Sequence, residues 1–208
     1  MPKGSEKLTN ARKDEIINAC ARLYEEKSFR EISIRDIGAI TSFTRTSIYN
    51  YFQTKEEIFL SLLENEYGAW KDELESILNG EELDRIGFSS ALASSLEKRG
   101  RMLRLLSMNI YDMETNSRIE NLTSFKKTYA ETIEVLSMAL KRFFPSLSDD
   151  DVGAFIYSFF PFLFGVYPYT TVTEKQKRAM ENVGFEYGKY SIYDLVYAFV
   201  SRFLKAFS

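Results

Sequence analysis

SIRDIGAITSFTRTSIYNYFQTKEE, residues 33–57, decides the fold. It reads as a short helix, a brief turn, a second short helix and a strong cap into a long one. Ser33-Ile34-Arg35-Asp36 sets an N-cap hydroxyl three residues before an acid that can return to the cap amide. Ile34 and Ile37 then point one way. Thr41-Ser42-Phe43 interrupts the period, and a third helix is expected over 44–52. Thr54-Lys55-Glu56-Glu57 has the pattern of a full capping box, so a long fourth helix opens at Thr54 and ends at Asn79-Gly80. Upstream, Ile16, Cys20, Leu23 and Tyr24 recur at helical spacing and predict a first helix over 9–27. Short helices joined by a tight turn, in so short a stretch, are the arithmetic of a helix-turn-helix.

The two faces of the third helix differ in chemistry. Ile34, Ile37, Phe43, Ile48 and Phe52 supply a buried side. The other side shows Thr44, Arg45, Thr46, Tyr49 and Asn50, donors and acceptors of the kind that read base edges or hold phosphates. Charge agrees. Residues 33–55 carry Arg35, Arg45 and Lys55 against Asp36, a net of +2, which makes Arg35 a further candidate contact. Residues 61–208 carry 17 basic and 21 acidic residues, a net of −4. The total of −3 hides this asymmetry.

The rest of the composition excludes more than it suggests. The 208 residues are 45% hydrophobic and 27% charged, which reads as globular. With no His and one Cys, the chain lacks His-based triads, His metal sites, an internal disulfide and a thiolate zinc site. No catalytic constellation, metal site or cofactor motif is visible. The N-terminus has no apolar run, so a cytoplasmic location is expected.

Beyond Gly80 the pattern stays helical, and the expected class is all-α. Helices are expected over 82–98 and 101–112. Others open at the Ser117-Arg118-Ile119-Glu120 box, at Ser148 before three Asp residues, and at Thr173. The last covers 191–207. Residues 155–169 hold eight aromatics, yet Pro161, Pro168 and three tyrosines argue against a membrane span. The expected use is a helix buried on several sides, kinked at Pro161. It and the last helix, two from each of two subunits, can build a four-helix interface. The candidate interface residues are Phe155, Tyr193, Val196, Tyr197, Phe199, Val200 and Phe203. Tyr67, Trp70, Met102, Leu106, Tyr111, Met113, Phe125, Tyr129, Phe159 and Phe162 are candidates for lining a cavity. Such stripes at helical spacing also serve as plain core. A pocket of this chemistry would suit a hydrophobic or aromatic ligand.

Residues 12–59 resemble the DNA-binding domain of the tetracycline-repressor (TetR) family. The likeness is carried by Ile37 to Phe52 with Thr54-Lys55-Glu56, in the family's tyrosine-x-x-phenylalanine-x-x-lysine-glutamate run. It implies a three-helix DNA-binding domain over 1–53, continuing into the first turns of the helix from 54. It further implies a helical dimerisation and effector-binding domain over 54–208. By the resemblance, Ser33 offers its amide or hydroxyl to a phosphate, and Thr44, Arg45 and Thr46 face the major groove. Tyr49 donates to a phosphate with Asn50 beside it, Tyr51 lies near the DNA backbone, and Lys55 helps hold a phosphate. Two positions depart from the family. Ser42 replaces the usual turn glycine, at roughly 1–2 kcal/mol if left-handed dihedrals are needed. Thr46 stands where glycine is frequent.

The reading is a homodimeric regulator of double-stranded operator DNA, a repressor released when a small hydrophobic or aromatic effector binds the C-terminal domain. Two alternatives stay open. One is a helical enzyme, for which no constellation is visible. The other is a DNA-binding protein with no effector.

Overall fold

The computed structural model describes residues 3–185, 188 and 190–206; the side chains of residues 3–6 and 45 lie outside that description. Ten α-helices account for the described secondary structure: α1 (Lys3–Glu26), α2 (Ile34–Ala39), α3 (Arg45–Ile48), α4 (Lys55–Leu78), α5 (Arg85–Glu97), α6 (Gly100–Thr115), α7 (Ile119–Phe143), α8 (Asp149–Thr170), α9 (Glu174–Asn182) and α10 (Ile192–Lys205). They form two compact units. One holds residues 1–66 and 109–129, the other 67–108 and 130–208. Helices α4, α6 and α7 each run from one unit into the other.

In the first unit, α1–α3 and the start of α4 close around one core. Ile16, Cys20 and Tyr24 of α1 are buried, as are Ile37, Ile48, Phe52 and Phe59. Phe59 is the hub: Phe29 lies 4.7 Å from it and Tyr24 5.2 Å, edge-on. Such edge-to-face pairs add to the gain from burial. The Tyr24 hydroxyl reaches Asn109 Oδ1 at 3.0 Å, so its buried polar end is satisfied.

Local caps set the helix limits. Ser33 and Asp36 form the expected reciprocal box. Thr44 caps α3, accepting from the Ser47 amide at 3.2 Å. α3 is shorter than expected, because after Ile48 the chain tightens into turns from Asn50 to Ser47 and Tyr51 to Ile48. α1 starts at Lys3, several residues before the expected 9. The box at Ser117 does not form, and its buried hydroxyl has no hydrogen-bond partner.

In the second unit, α10 packs mainly on α5 and also on α8. Trp70, Phe88, Leu96, Phe155, Phe159 and Val200 are among the residues shut away from water. The Trp70 indole donates to Ser95 Oγ at 3.1 Å, and that hydroxyl donates on to Leu92 O. α8 continues helical through Pro161 and Pro168. Pro161 and Tyr157 are both exposed, so water can take the Tyr157 carbonyl that lost its amide. α8 is long and apolar enough to cross a bilayer by length and composition, yet Val152, Phe155, Phe159, Leu163 and Val166 bury one side of it in this unit. Gly184 ends α9 at φ +67°, the left-handed residue of a Schellman turn in which Phe185 N–H returns to Met180 O.

Candidate nucleic-acid interface

The turn between α2 and α3 is anchored from below by α1. Glu15 accepts from the Ser42 amide at 2.6 Å and from its hydroxyl at 3.0 Å. The amide bond, then the hydroxyl bond, hold the Glu15 carboxyl below its ordinary range. No described non-glycine residue has positive φ. Ser42 therefore carries no left-handed strain, and its hydroxyl gives the turn a tie that glycine lacks.

Buried Ile48 and Phe52 seat α3, leaving its other side to water. Thr44, Thr46, Tyr49 and Asn50 are exposed there. Ser33 and Arg35 are exposed on α2 and its cap. The Arg45 backbone opens α3, but its side chain lies outside the described residues. The Ser33 hydroxyl is committed to Asp36 at 2.6 Å. The Tyr51 hydroxyl accepts from Arg12 Nη1 at 3.1 Å, and its ring lies 6.4 Å from Phe43.

Lys55 is placed differently from the expectation. Its ammonium donates to Phe29 O at 2.8 Å and Ile32 O at 3.2 Å, and lies 4.4 Å from the Phe29 ring centroid. The carbonyls between α1 and α2 need donors, and the lysine stem is long enough to reach them. Lys55 thus staples the α1–α2 connection instead of extending toward a phosphate.

Sequence reasoning missed four residues around this surface: Arg12, Glu15, Glu57 and Arg118. Glu57 read as the last residue of a capping box. Its amide does take the Thr54 hydroxyl, at 3.2 Å. Its carboxylate goes elsewhere, to Gln53 N at 2.7 Å and to Arg118. Burial pushes this carboxyl up, but bonds from Arg118 and Gln53, with the Arg118 charge, outweigh that and hold it below its ordinary range. Arg118 Nη2 also reaches Tyr51 O at 3.3 Å. The segment before α7 is thus tied to the residues that close the helix-turn-helix. Only the distant pairing reveals this, so no local signal marks it.

The cavity candidates divide between the two units. In the second, Tyr67, Trp70, Met102, Leu106 and Phe159 are buried and Phe162 is partly so. Tyr67 stands 6.0 Å from Trp70, and Phe159 6.3 Å from Phe162. In the first, Met113 and Phe125 are buried and Tyr129 is half-buried 6.1 Å from Phe125. Tyr111 is 79% exposed, which removes it from any enclosed lining. None of the ten lines the surface hollow of about 1240 Å³ between Thr171, Met180, Phe185 and Tyr190.

The interface candidates divide by burial, with Tyr193, Tyr197, Phe199 and Phe203 half-buried. Phe155, Val196 and Val200 are buried within the subunit. Phe199 stacks on Phe162 at 4.4 Å, and Phe203 meets Phe155 edge-on at 5.3 Å. Tyr193 donates to Ser90 Oγ at 3.0 Å and stacks on Tyr197. These contacts join α10 to α5 and α8 of its own subunit. On α8, Ala154, Tyr157, Ser158, Pro161 and Phe164 follow at helical spacing and are exposed.

Comparison with known proteins agrees with this arrangement. Residues 16–62 match the model for bacterial regulatory proteins of the tetR family, and residues 64–204 match the tetracyclin repressor-like C-terminal domain. No match is found among the curated proteins. Among solved structures, the chain is similar to the fatty acid degradation regulator FadR from Bacillus halodurans. That match has 18% identity and a TM-score of 0.60, covering 93% of this chain and 94% of that one. A transcriptional regulator of the TetR/AcrR family from Thermobifida fusca is similar at 22% identity and a TM-score of 0.55, with 93% and 96% covered. Two family models that together cover most of the chain, on a helix-turn-helix with an exposed polar face, leave one assignment: the chain belongs to the TetR family of DNA-binding transcriptional regulators.

Proposed function

We propose that this regulator is a cytoplasmic homodimeric repressor that sets α3 of each subunit into successive major grooves of a roughly palindromic operator. The exposed polar side of α3, with Thr44, Thr46, Tyr49 and Asn50 outward over a buried Ile48, carries the reading. Protein two-fold symmetry would be mirrored by two half-sites. Arg45 opens the same helix and is the candidate base reader. Ser33, Arg35 and Tyr49 are the candidate phosphate contacts. Dimerisation is assigned to the outward face of α8. Tyr157, at 84% exposure, and Phe164 leave an apolar surface there that a second copy would cover.

The switch is proposed to be a small hydrophobic or aromatic ligand held among the aromatic side chains around Trp70 and Phe159. The ligand must favour one of two dimer geometries, since equal affinity for both would shift nothing. α4 runs from the cap at Thr54 to Leu78 and, like α6 and α7, belongs to both units. A regulator without an effector is the second reading. The close ring packing of Tyr67, Trp70 and Phe160 favours it, because that packing also suits a plain core. Thermal melts against a library of apolar and aromatic compounds separate the two. Stabilisation by a compound that also releases DNA supports the switch, and no stabilisation across the library supports the second reading.

A further inference from the structure

The helix α3 is a single turn, Arg45–Ile48. One turn fixes several backbone dihedrals for very few hydrogen bonds, so such a helix has no persistence of its own. Its direction is set by what holds its two ends. Thr44 caps the first end, and the turn before it is tied to Glu15. The second end closes with turn bonds from Asn50 to Ser47 and from Tyr51 and Phe52 to Ile48.

The rest of that loop is held from far along the chain, by residues 116–118. The Tyr51 carbonyl accepts from Arg118 Nη2 at 3.3 Å. The Gln53 amide donates to Glu57 Oε2 at 2.7 Å, the oxygen that also takes Arg118 Nη2 at 2.9 Å. The Thr54 hydroxyl donates to Asn116 O at 3.1 Å. The Arg118 backbone amide adds a bond to Glu57 Oε1 at 3.1 Å, beside its own Nε at 2.6 Å. Glu57 is fully buried, so these bonds form where water does not compete for the carboxylate.

A pair that served stability alone would need only the contact between guanidinium and carboxylate. Arg118 reaches past it to the backbone three positions beyond Ile48, and Glu57 holds the backbone two positions further on. We propose that Arg118 is a positioning residue for DNA reading: with Glu57 it fixes the loop from Tyr51 to Thr54, and so the angle at which α3 enters the groove, without touching DNA itself. This role rests on the DNA-binding reading of α3, and the test separates the two. Base contacts need α3 in one geometry, whereas attraction to phosphates tolerates several. A protein whose competent geometry is only partly populated loses affinity by that fraction. Loosening the loop should therefore cost discrimination and spare general affinity.

Two variants test this. Arg118→Lys keeps a charge but loses the planar fork. Glu57→Leu with Arg118→Met removes both charges, and a buried pair replaced by apolar side chains of similar volume often keeps or gains stability. Circular dichroism checks the helical signal of each at the temperature of measurement, and Arg118→Lys carries the test if the double variant does not fold. Binding is measured over a salt series, on a duplex that the wild type selects from randomised DNA and on one of random sequence. Both variants should bind the selected duplex about tenfold more weakly. They should bind the random duplex as the wild type does, with the same log–log salt slope. The double variant should lose discrimination even with a melting temperature at or above the wild-type value, which a purely structural role does not give. Wild-type discrimination by either folded variant overturns the proposal and leaves the α3 reading intact. A slope lowered by about 1 on both duplexes in the double variant makes Arg118 a phosphate contact and overturns it as well. A wild type that prefers no sequence overturns the α3 reading itself.

Discussion

Glu57, fully buried, is held on both carboxylate oxygens by the guanidinium of Arg118, with Nε to Oε1 at 2.6 Å and Nη2 to Oε2 at 2.9 Å. A buried charge is tolerated only when paired and hydrogen-bonded, and this fork does both. The Arg118 side chain is 40% exposed, so solvent screens part of the pairing. Arg118→Ala should cost about 2 kcal/mol in urea unfolding, less than for a wholly buried pair. Arg118→Lys should recover little of it, because an ammonium cannot reproduce the two-pronged geometry. Full recovery by lysine would reduce the pair to a point-charge contact.

Acid should expose the same group. The Glu57, Glu15 and Asp36 carboxyls are all lowered from ordinary values of 4.5, 4.5 and 3.8. Their folded values lie below their unfolded ones. Each therefore contributes stability that is complete above the unfolded value and is lost as pH falls through the folded one. Stability should decline on acidification below the ordinary carboxylate range. Glu57→Gln should start less stable and lose less over that window. Parallel pH profiles for the variant and the wild type would count against Glu57 as a contributor.

Lys55→Ala should lower the melting temperature, losing about 2 kcal/mol from its two carbonyl bonds and the Phe29 ring contact. Its DNA-binding salt slope should stay at the wild-type value. A slope lowered by about 1 with unchanged stability would restore the phosphate role that the family resemblance implies.

Ser42→Gly separates turn geometry from turn bonding. With no positive φ to relieve, glycine should destabilise, because it loses the hydroxyl bond to Glu15 and gains unfolded-state freedom. A rise in melting temperature would show that the position wants glycine after all.

Tyr157→Glu with Phe164→Glu should yield monomers by light scattering while keeping the helical signal, since both side chains are exposed. Phe203→Glu should instead unfold the second unit, where its ring meets Phe155. Dimers that survive the α8 double variant would move the interface off this face.

The helix-turn-helix was legible because its signals are local. Ser33–Asp36, Thr44 and the apolar spacing of Ile34, Ile37, Ile48 and Phe52 all lie within twenty residues and all formed. The Ser148 and Thr173 boxes were read for the same reason. What was missed depends on residues far apart. Glu57 meets a partner 61 positions away, and Ser42 one 27 positions away. The contacts of Lys55 have no local mark either, since a flexible lysine serves whichever acceptor is near and the Phe29 and Ile32 carbonyls are near only once folded. On α10 the aromatic stripe is plain in sequence, but its ring contacts with α8 appear only in the fold. An aromatic stripe looks the same in sequence whether it meets its own α8 or that of another subunit.

The central claim is that α3 reads DNA sequence. Selection of binders from randomised duplex DNA, repeated with Arg45→Ala, tests it most directly. The account predicts enrichment of an inverted repeat by the wild type. Arg45→Ala should relax preference at one position per half-site, worth about 1–3 kcal/mol of discrimination. No enriched sequence from the folded wild type, with equal affinity for every duplex, would contradict it.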